Sequence, residues 1–147
     1  VLFILLFMLN PNPHCVSNLT CHLIFVCKYR LPLLETYGAE IKKLCMKCAD
    51  QSSKFEIETI EVDKDHIHFM INYSTHETIK NIVKQLKSYT TFYIWETHEP
   101  ELSKQFWKQR MFWSNNYFVC SVGDASRETI ENYIKTQGSK PQLIHKH

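Results

Sequence analysis

Two strand-like segments separated by only three residues constrain the fold of this chain more than any other feature. In residues 55–62, Phe55, Ile57 and Thr59 alternate with the charged Glu56 and Glu58, and residues 66–73 alternate histidine and other side chains with Ile and Phe. Because successive side chains of a strand point to opposite faces, each alternation predicts a strand. Asp63, Lys64 and Asp65 between them are typical of a turn, so the two segments predict a β-hairpin.

The segments on either side of this hairpin complete the order β-α-β-β-α-β-α. Residues 19–29 carry apolar side chains on both faces, which is typical of a central strand. The other predicted elements are a helix over residues 33 to about 52, a long helix over residues 79–93 behind a Ser74–Glu77 capping box, a short helix from Pro100, a strand over residues 111–122, and a helix from Ser126 to about Gln137. This order predicts an α/β (α+β) fold, ferredoxin-like or RNA-recognition-motif-like, with an antiparallel sheet, helices on one face and an added C-terminal helix.

The length of 147 residues gives room for one well-buried domain and is too short for two ordinary ones. The first nine residues are all apolar, but a bilayer-spanning helix needs about 20. An export signal is the alternative, although no basic residue precedes this segment and no small-residue cleavage site follows it. We expect an N-terminal appendage over residues 1–13, a single domain over residues 14–142 and a polar tail over residues 143–147, in a cytoplasmic protein without a membrane partner.

Six cysteines are enough for three disulfides, but their positions favour buried thiols. Cys21 and Cys27 share a strand face with apolar residues, while Cys45 and Cys48 lie on the apolar side of a predicted helix. The Cys45–Cys48 pair is also a lone CxxC motif without a second half, which is weak evidence for zinc or redox chemistry. We therefore expect thiols rather than disulfides.

The charge balance does not by itself indicate nucleic-acid binding, because 17 Lys and Arg against 15 Asp and Glu give a net charge of only +2. Any phosphate-binding surface must therefore be local. Lys80, Lys84 and Lys87 form a stripe on the predicted long helix, and Lys28 and Arg30 end the first strand. Such a stripe is more often only a solvated helix face, and phosphate contact by these five residues is the alternative.

His66 and His68 lie on one face of the second hairpin strand, where two imidazoles side by side can hold one metal ion. Taken alone, a His-x-His pair is weak evidence, since strand histidines are usually just partly buried. The remaining histidines are expected to be ordinary surface, boundary or tail residues: His14, His22, His76, His98, His145 and His147.

Tyr133 and Gln137 lie four residues apart on the predicted last helix, so both side chains project from the same helix face. The phenol can act as a nucleophile and the amide oxygen as a third metal ligand. Each residue alone has an ordinary explanation, core packing for Tyr133 and a polar last turn for Gln137. Their occurrence together with His66 and His68 favours a site that breaks and rejoins a phosphodiester.

Four segments resemble the single-tyrosine transposases of the insertion-sequence 200/605 type. The chain is also similar to the REP-associated tyrosine transposases of this type. Residues 63–69 resemble the family's HUH signature of histidine, hydrophobic residue and histidine. Residues 17–30, 112–119 and 133–137 resemble its opening strand, the block before its last strand, and its catalytic-helix motif. The likeness runs from about residue 14 to residue 142.

This resemblance implies an enzyme that cuts and rejoins single-stranded DNA at hairpin-marked element ends through a 5′-phosphotyrosine intermediate. Tyr133 would be the nucleophile, and His66, His68 and Gln137 would hold a divalent metal ion. Mg²⁺ or Mn²⁺ suits these mixed ligands, although Zn²⁺ could bind more tightly. No nucleotide cofactor is expected, because the phosphotyrosine link keeps the energy of the phosphodiester.

The resemblance also implies a homodimer whose active sites are completed between subunits. Two alternatives stay open at this point. One is a non-catalytic nucleic-acid-binding relative, domesticated or decayed. The other is a replication initiator or relaxase that shares the histidine motif, although such proteins are generally larger.

Overall fold

The computed structural model describes residues 18–122 and 127–136, which form one antiparallel sheet and three α-helices. The elements are β1 (Asn18–Val26), α1 (Leu33–Ser52), β2 (Phe55–Val62), β3 (His66–Ser74), α2 (Ile79–Gln105), β4 (Phe118–Ser121) and α3 (Arg127–Thr136). A 3-10 turn, Lys28–Arg30, follows β1. The strand order is β2-β3-β1-β4, and every neighbouring pair is antiparallel. The predicted fold class and the predicted hairpin are confirmed.

The main core lies between one face of the sheet and the two long helices. Leu23, Phe25 and Phe69 on that face are almost completely buried, and the apolar sides of α1 and α2 belong to the same cluster. Burying one such side chain contributes about 1.5–3 kcal/mol. Gly38 lets α1 approach the sheet closely, because a Cβ atom there would lie 3.0 Å from Cγ1 of Val62.

The opposite face of the sheet, called here the histidine face, carries the residues of β1 that point away from α1 and α2. His22 is half-buried on it, and Ile24 and Val26 are fully buried. Apolar residues on both faces confirm that β1 is a central strand, as predicted. Helix α3 contacts this face, where the rings of Tyr133 and Phe118 lie 5.2 Å apart.

The structure joins the predicted long helix and the predicted short helix into one kinked helix. Helix α2 continues to Gln105, with Pro100 inside it. Proline cannot donate the helical hydrogen bond, and its ring displaces the preceding turn. The backbone accordingly leaves helical geometry at His98, with φ −125° and ψ 28°. The prediction of a separate helix was wrong because the chain bends at this point without breaking.

The predicted capping box at the start of α2 was also wrong. Strand β3 continues to Ser74, whose hydroxyl accepts from the N–H of His76 in a turn. The N-cap is Thr78, and its hydroxyl accepts from the N–H of Asn81 at 3.2 Å. Glu77 is buried and its carboxylate accepts from the N–H of Thr78, so it stabilises the turn before the helix.

The last strand is much shorter than the predicted residues 111–122, because only Phe118–Ser121 pair along β1. Before β4, Trp113 forms an isolated bridge with Cys27. The ammonium of Lys87 donates to two backbone carbonyls of the intervening loop. The ammonium thereby holds this loop in place before β4.

The five cysteines in the described part of the chain form no disulfide, which confirms the prediction for them. Burial raises the pKa of the Cys21 and Cys48 thiols to about 11, so both are protonated near neutral pH. Cys15 lies outside the described residues.

The predicted N-terminal appendage and polar tail also lie outside the described residues, and the domain boundaries stay predictions. Among residues 18–122 and 127–136, no helix combines the length and the apolar character needed to cross a membrane.

Candidate active site

His66 and His68 both lie on the histidine face of the sheet. The pleat of β3 sends Ile67 between them to the opposite face, where it is fully buried. The strand register places His66 opposite Val26 and His68 opposite Ile24. The two imidazoles are half-buried and share a face, as the spacing predicted.

Asp65 orients the ring of His66, because the Nδ1 atom of His66 lies 3.0 Å from Oδ1 of Asp65. Burial would raise the pKa of Asp65, but hydrogen bonds from His66 and Arg30 outweigh burial and lower it below its ordinary value. An ionised carboxylate can only accept, so Nδ1 of His66 carries the proton. This tautomer leaves Nε2 as the nitrogen that can bind a metal ion.

His22 is a histidine of this face that the sequence analysis assigned no role. Its Nδ1 atom lies 2.8 Å from Nε2 of His68, so one ring donates and the other accepts. Burial lowers the pKa of His68, and the neighbouring His22 lowers it further, while Glu61 opposes part of the shift. A neutral imidazole is the form that binds metals. The side-chain alternation of β1 indicates the face of His22, but only the strand register places it beside His68.

Tyr133 stands over the same face. Phe118 pairs with Ile24, which pairs with His68, so these three residues form one row across β4, β1 and β3. Neighbouring strands lie about 4.8 Å apart, which puts Phe118 roughly 10 Å from His68. The ring of Tyr133 contacts Phe118 at 5.2 Å. The tyrosine helix and the histidine strand therefore lie on the same side of the sheet.

The hydroxyl of Tyr133 is buried and has no hydrogen-bond partner among the described residues. Burial raises its pKa to about 12. An unsatisfied buried polar group costs about 1–3 kcal/mol, so such groups are rare in folded proteins without a role. A phosphate oxygen or a water molecule would satisfy this hydroxyl.

Gln137, the predicted third ligand, lies outside the described residues, and α3 as described ends at Thr136. In residues 18–122 and 127–136, no group of three or more His, Cys, Asp or Glu side chains is placed to hold a metal ion. His66 and His68 supply two suitable nitrogen donors. Because two donors are too few, these residues fit a divalent ion only if a further ligand joins them. The assignment of that ligand to Gln137 stays a prediction.

Comparisons with known proteins give the family. The family model described as IS200-like transposase matches residues 15–137. This chain belongs to the IS200-like transposase family. The ISDra2 transposase TnpA of Deinococcus radiodurans is 28% identical over 125 residues, which cover 85% of this chain and 88% of that protein. The family resemblance inferred from the four sequence segments is thus confirmed.

Two solved structures share the fold of this transposase. A crystal structure of a candidate transposase from Deinococcus radiodurans R1 matches with a TM-score of 0.75 and 26% identity, over 84% of this chain and 94% of that one. A REP-associated tyrosine transposase bound to a REP hairpin matches with a TM-score of 0.51 and 12% identity, over 84% and 66% of the two chains. The second likeness concerns the fold alone.

Arg30 of this transposase was predicted as a phosphate contact, and the structure places its guanidinium between two elements of the site. Its Nε atom donates to Oδ2 of Asp65 at 2.8 Å, and its Nη1 atom donates to the backbone carbonyl of Lys135 at 2.7 Å. No local sequence pattern indicates these contacts, because both partners are distant along the chain.

The three lysines of α2 do not form one exposed stripe. Lys80 and Lys84 are exposed, whereas Lys87 is half-buried and donates to the carbonyls of Ser114 at 2.7 Å and Asn116 at 3.0 Å. The expectation of a continuous stripe was wrong for Lys87, because its ammonium holds the loop before β4. With Lys28 it lines an open cleft of about 650 Å³. Phosphate contact by these lysines stays a prediction.

Lys87 should make the stability of the fold depend on pH. Burial, with a contribution from Lys28, lowers its pKa from 10.5 to about 8. Between these values the folded chain binds fewer protons there than the unfolded chain, so the free energy of unfolding should rise with pH. Between about pH 7.5 and 9.5, the free energy of unfolding of the Lys87→Met variant should rise by about 1 kcal/mol less than that of the wild type. This value is reduced to allow for the partial exposure of Lys87.

Urea unfolding of the wild type and the Lys87→Met variant at the two pH values measures this effect. The difference between the two proteins cancels the titration of other groups. Lys84→Met, at an exposed position of the same helix, is the matched control and should follow the wild type. Equal pH dependence in the wild type and the Lys87→Met variant would contradict the prediction.

Proposed function

We propose that this transposase cuts and rejoins single-stranded DNA at hairpin-marked element ends, with Tyr133 as nucleophile and His66, His68 and Gln137 as ligands of a divalent metal ion. One observation carries the proposal. In a chain of the IS200-like family, the tyrosine helix lies on the same sheet face as two metal-capable histidines. The buried hydroxyl of Tyr133, which has no hydrogen-bond partner within residues 18–122 and 127–136, supports it, since a substrate oxygen would satisfy that atom.

The cleavage step follows from the chemistry of a phenol. Oη of Tyr133 attacks the scissile phosphorus and displaces the 3′ oxygen, which gives a 5′-phosphotyrosine and a free 3′-OH. The raised pKa keeps the phenol protonated near neutral pH, so its proton must leave to water during the attack, and the displaced 3′ oxygen takes up one proton from water to become the 3′-OH. A bound divalent ion would polarise a non-bridging phosphate oxygen. Attack by a different 3′-OH reverses the step and joins new strands without a nucleotide cofactor.

Contacts within the chain favour the protonation states of the two histidines that suit metal binding. Asp65 keeps the proton on Nδ1 of His66, and burial favours the neutral ring of His68. Mg²⁺ or Mn²⁺ would serve this mixed nitrogen and oxygen set, while Zn²⁺ could bind more tightly.

The proposed partner is a DNA hairpin, as in the REP-associated relative whose structure contains one. We also propose a cytoplasmic homodimer whose active sites are completed between subunits. In the single chain, α3 contacts its own sheet through Tyr133 and its own Arg30 through Lys135. Exchange of α3 would transfer both contacts to the neighbouring subunit.

The test is incubation of the purified chain with single-stranded DNA from the flanks of its own gene, with Mn²⁺ or Mg²⁺ and without ATP. A covalent protein–DNA adduct on a denaturing gel is expected, and chelator should prevent it. The same flank as a full duplex should be a poor substrate. Tight hairpin binding without any adduct would support the non-catalytic alternative.

Lys80 and Lys84 should contribute phosphate contacts that depend on salt. Each contact releases condensed counterion, so Lys80→Gln with Lys84→Gln should reduce the slope of log K against log salt by roughly 0.7–0.9 for each phosphate contact that the substitutions remove. Titration of a labelled hairpin at several salt concentrations measures it. Lys42→Gln with Lys43→Gln, exposed on α1, is the control. An unchanged slope would assign Lys80 and Lys84 to a solvated face.

A further inference from the structure

A continuous chain of polar contacts connects the histidine strand to the tyrosine helix. Asp65 accepts from His66 through Oδ1 at 3.0 Å and from Arg30 through Oδ2 at 2.8 Å. Arg30 then uses Nη1 to reach the carbonyl of Lys135 at 2.7 Å. Lys135 lies two residues after Tyr133 on α3. One guanidinium therefore contacts both a partner of the proposed metal ligand and the helix that carries the nucleophile.

The backbone around these residues is held by hydrogen bonds from other elements. The N–H of Cys27 donates to the carbonyl of Asp65 at 2.8 Å, and the N–H of Leu34 donates to the carbonyl of Lys64 at 2.9 Å. The turn between β2 and β3 is thus attached to the end of β1 and the start of α1. Asp65 has a fixed position from which it can orient His66.

The backbone that presents Arg30 has an unusual conformation. Tyr29 and Arg30 have φ values of 56° and 55°, in the left-handed region that residues other than glycine rarely adopt. Strain of this kind persists only where surrounding contacts maintain it, and it is concentrated at functional sites. Here the strained turn directs the guanidinium of Arg30 towards Asp65 and α3.

The end of α3 is a favourable place for a cation. The last carbonyls of a helix lack helical partners, and their dipoles favour positive charge. Lys135 lies in the last described turn of α3, and its carbonyl accepts from Arg30. A guanidinium can donate in two directions at once from a rigid plane, which the single ammonium of lysine cannot reproduce.

We propose that Arg30 and Asp65 are positioning residues that align the two halves of the active site. Asp65 sets the tautomer and ring orientation of His66, and Arg30 fixes Asp65 while it holds the last turn of α3. This inference rests on the function proposed above for His66 and Tyr133. It assigns Arg30 a positioning role in place of the phosphate contact predicted from the sequence.

The experiment compares Asp65→Asn, Arg30→Gln and Arg30→Lys with Arg110→Gln. Arg110 is a matched control, since it also pairs with two carboxylate groups, those of Glu96 and Glu99, each at 3.3 Å. The first readout is the ¹⁵N spectrum of the His66 ring in metal-free protein. The wild type and Arg110→Gln should show the proton on Nδ1, and Asp65→Asn should shift it towards Nε2.

The second readout is Mn²⁺ affinity by calorimetry. Loss of a carboxylate behind a ligating histidine lowers metal affinity by about 10–100-fold, which is expected for Asp65→Asn. Arg30→Gln should lower it less. Arg30→Lys should restore the Mn²⁺ affinity but not the rate of adduct formation, because lysine keeps the contact to Asp65 and cannot make the one to Lys135.

The third readout is the salt dependence of hairpin binding, which Arg30→Gln should leave unchanged. A reduced salt slope with unchanged Mn²⁺ affinity would make Arg30 a phosphate contact and overturn the inference. Wild-type tautomer and affinity in Asp65→Asn would overturn it as well. If Arg30→Gln does not fold, Arg30→Lys and Asp65→Asn decide the matter.

Failure of the proposed function has a different signature. A wild-type chain that neither binds Mn²⁺ nor forms an adduct would refute that function. A wild-type chain that does both, together with an Asp65→Asn variant that is indistinguishable from it, would refute only the positioning role.

Discussion

Tyr133→Phe should abolish the covalent protein–DNA adduct while hairpin binding stays unchanged. Phenylalanine keeps the ring that contacts Phe118 and lacks the attacking oxygen, so adduct formation should fall by at least about 10³-fold. The buried hydroxyl has no partner among the described residues, so its removal breaks no hydrogen bond there. The free energy of unfolding should therefore stay equal or rise by up to about 1 kcal/mol.

A hairpin oligonucleotide with the correct flank, a denaturing gel and mass spectrometry of the trapped adduct measure the result. Tyr117→Phe is the control and should form the adduct normally, because Tyr117 precedes β4 and lies beside Lys87. DNA attached at a residue other than Tyr133, or attached through a 3′-phosphate, would refute the assignment. Loss of folding in Tyr133→Phe would contradict the stability argument.

The double substitution of His66 and His68 by alanine should reduce cleavage about as much as Tyr133→Phe does. It removes both nitrogen donors from the histidine face, so Mn²⁺ binding and adduct formation should both disappear. Both side chains are only half-buried, and Ile67 keeps its core position, so folding and hairpin binding should persist.

Calorimetry with Mn²⁺, an adduct assay and hairpin titration on the same preparation separate these effects. His76→Ala is the control, because His76 is an exposed histidine in the turn before α2. Chelator added to the wild type should reproduce the double variant. Full adduct formation by the double variant in chelator would exclude a metal-dependent role for the two histidines.

The local pattern of the chain predicted most of the architecture. Alternation over residues 55–62 and 66–73 depends only on which side chains are apolar, and it placed the hairpin and the shared face of His66 and His68 correctly. Helical periodicity found α1 and most of α2 for the same reason. The four family-like segments were sufficient to indicate the IS200-like family, since short motifs in a fixed order survive where overall identity is low.

Local pattern was less successful where two tendencies compete. Pro100 predicted a helix break, but the helix continues through a kink at His98, and Leu102 beyond the kink is buried in the core. The spacing of Lys87 predicts a solvated stripe, yet its ammonium donates to two backbone carbonyls of the loop before β4. Neither outcome follows from the residues within one turn.

The sequence by itself determined most of the elements and the family, and it predicted residues that could carry the chemistry, because periodicity and motif order are local properties. Only the tertiary structure decided how the site is supported. His22 reaches His68 across 46 positions, and Arg30 reaches Asp65 across 35 and Lys135 across 105. Such contacts depend on strand register and on how α3 lies against the sheet, and both are set by packing of the whole chain.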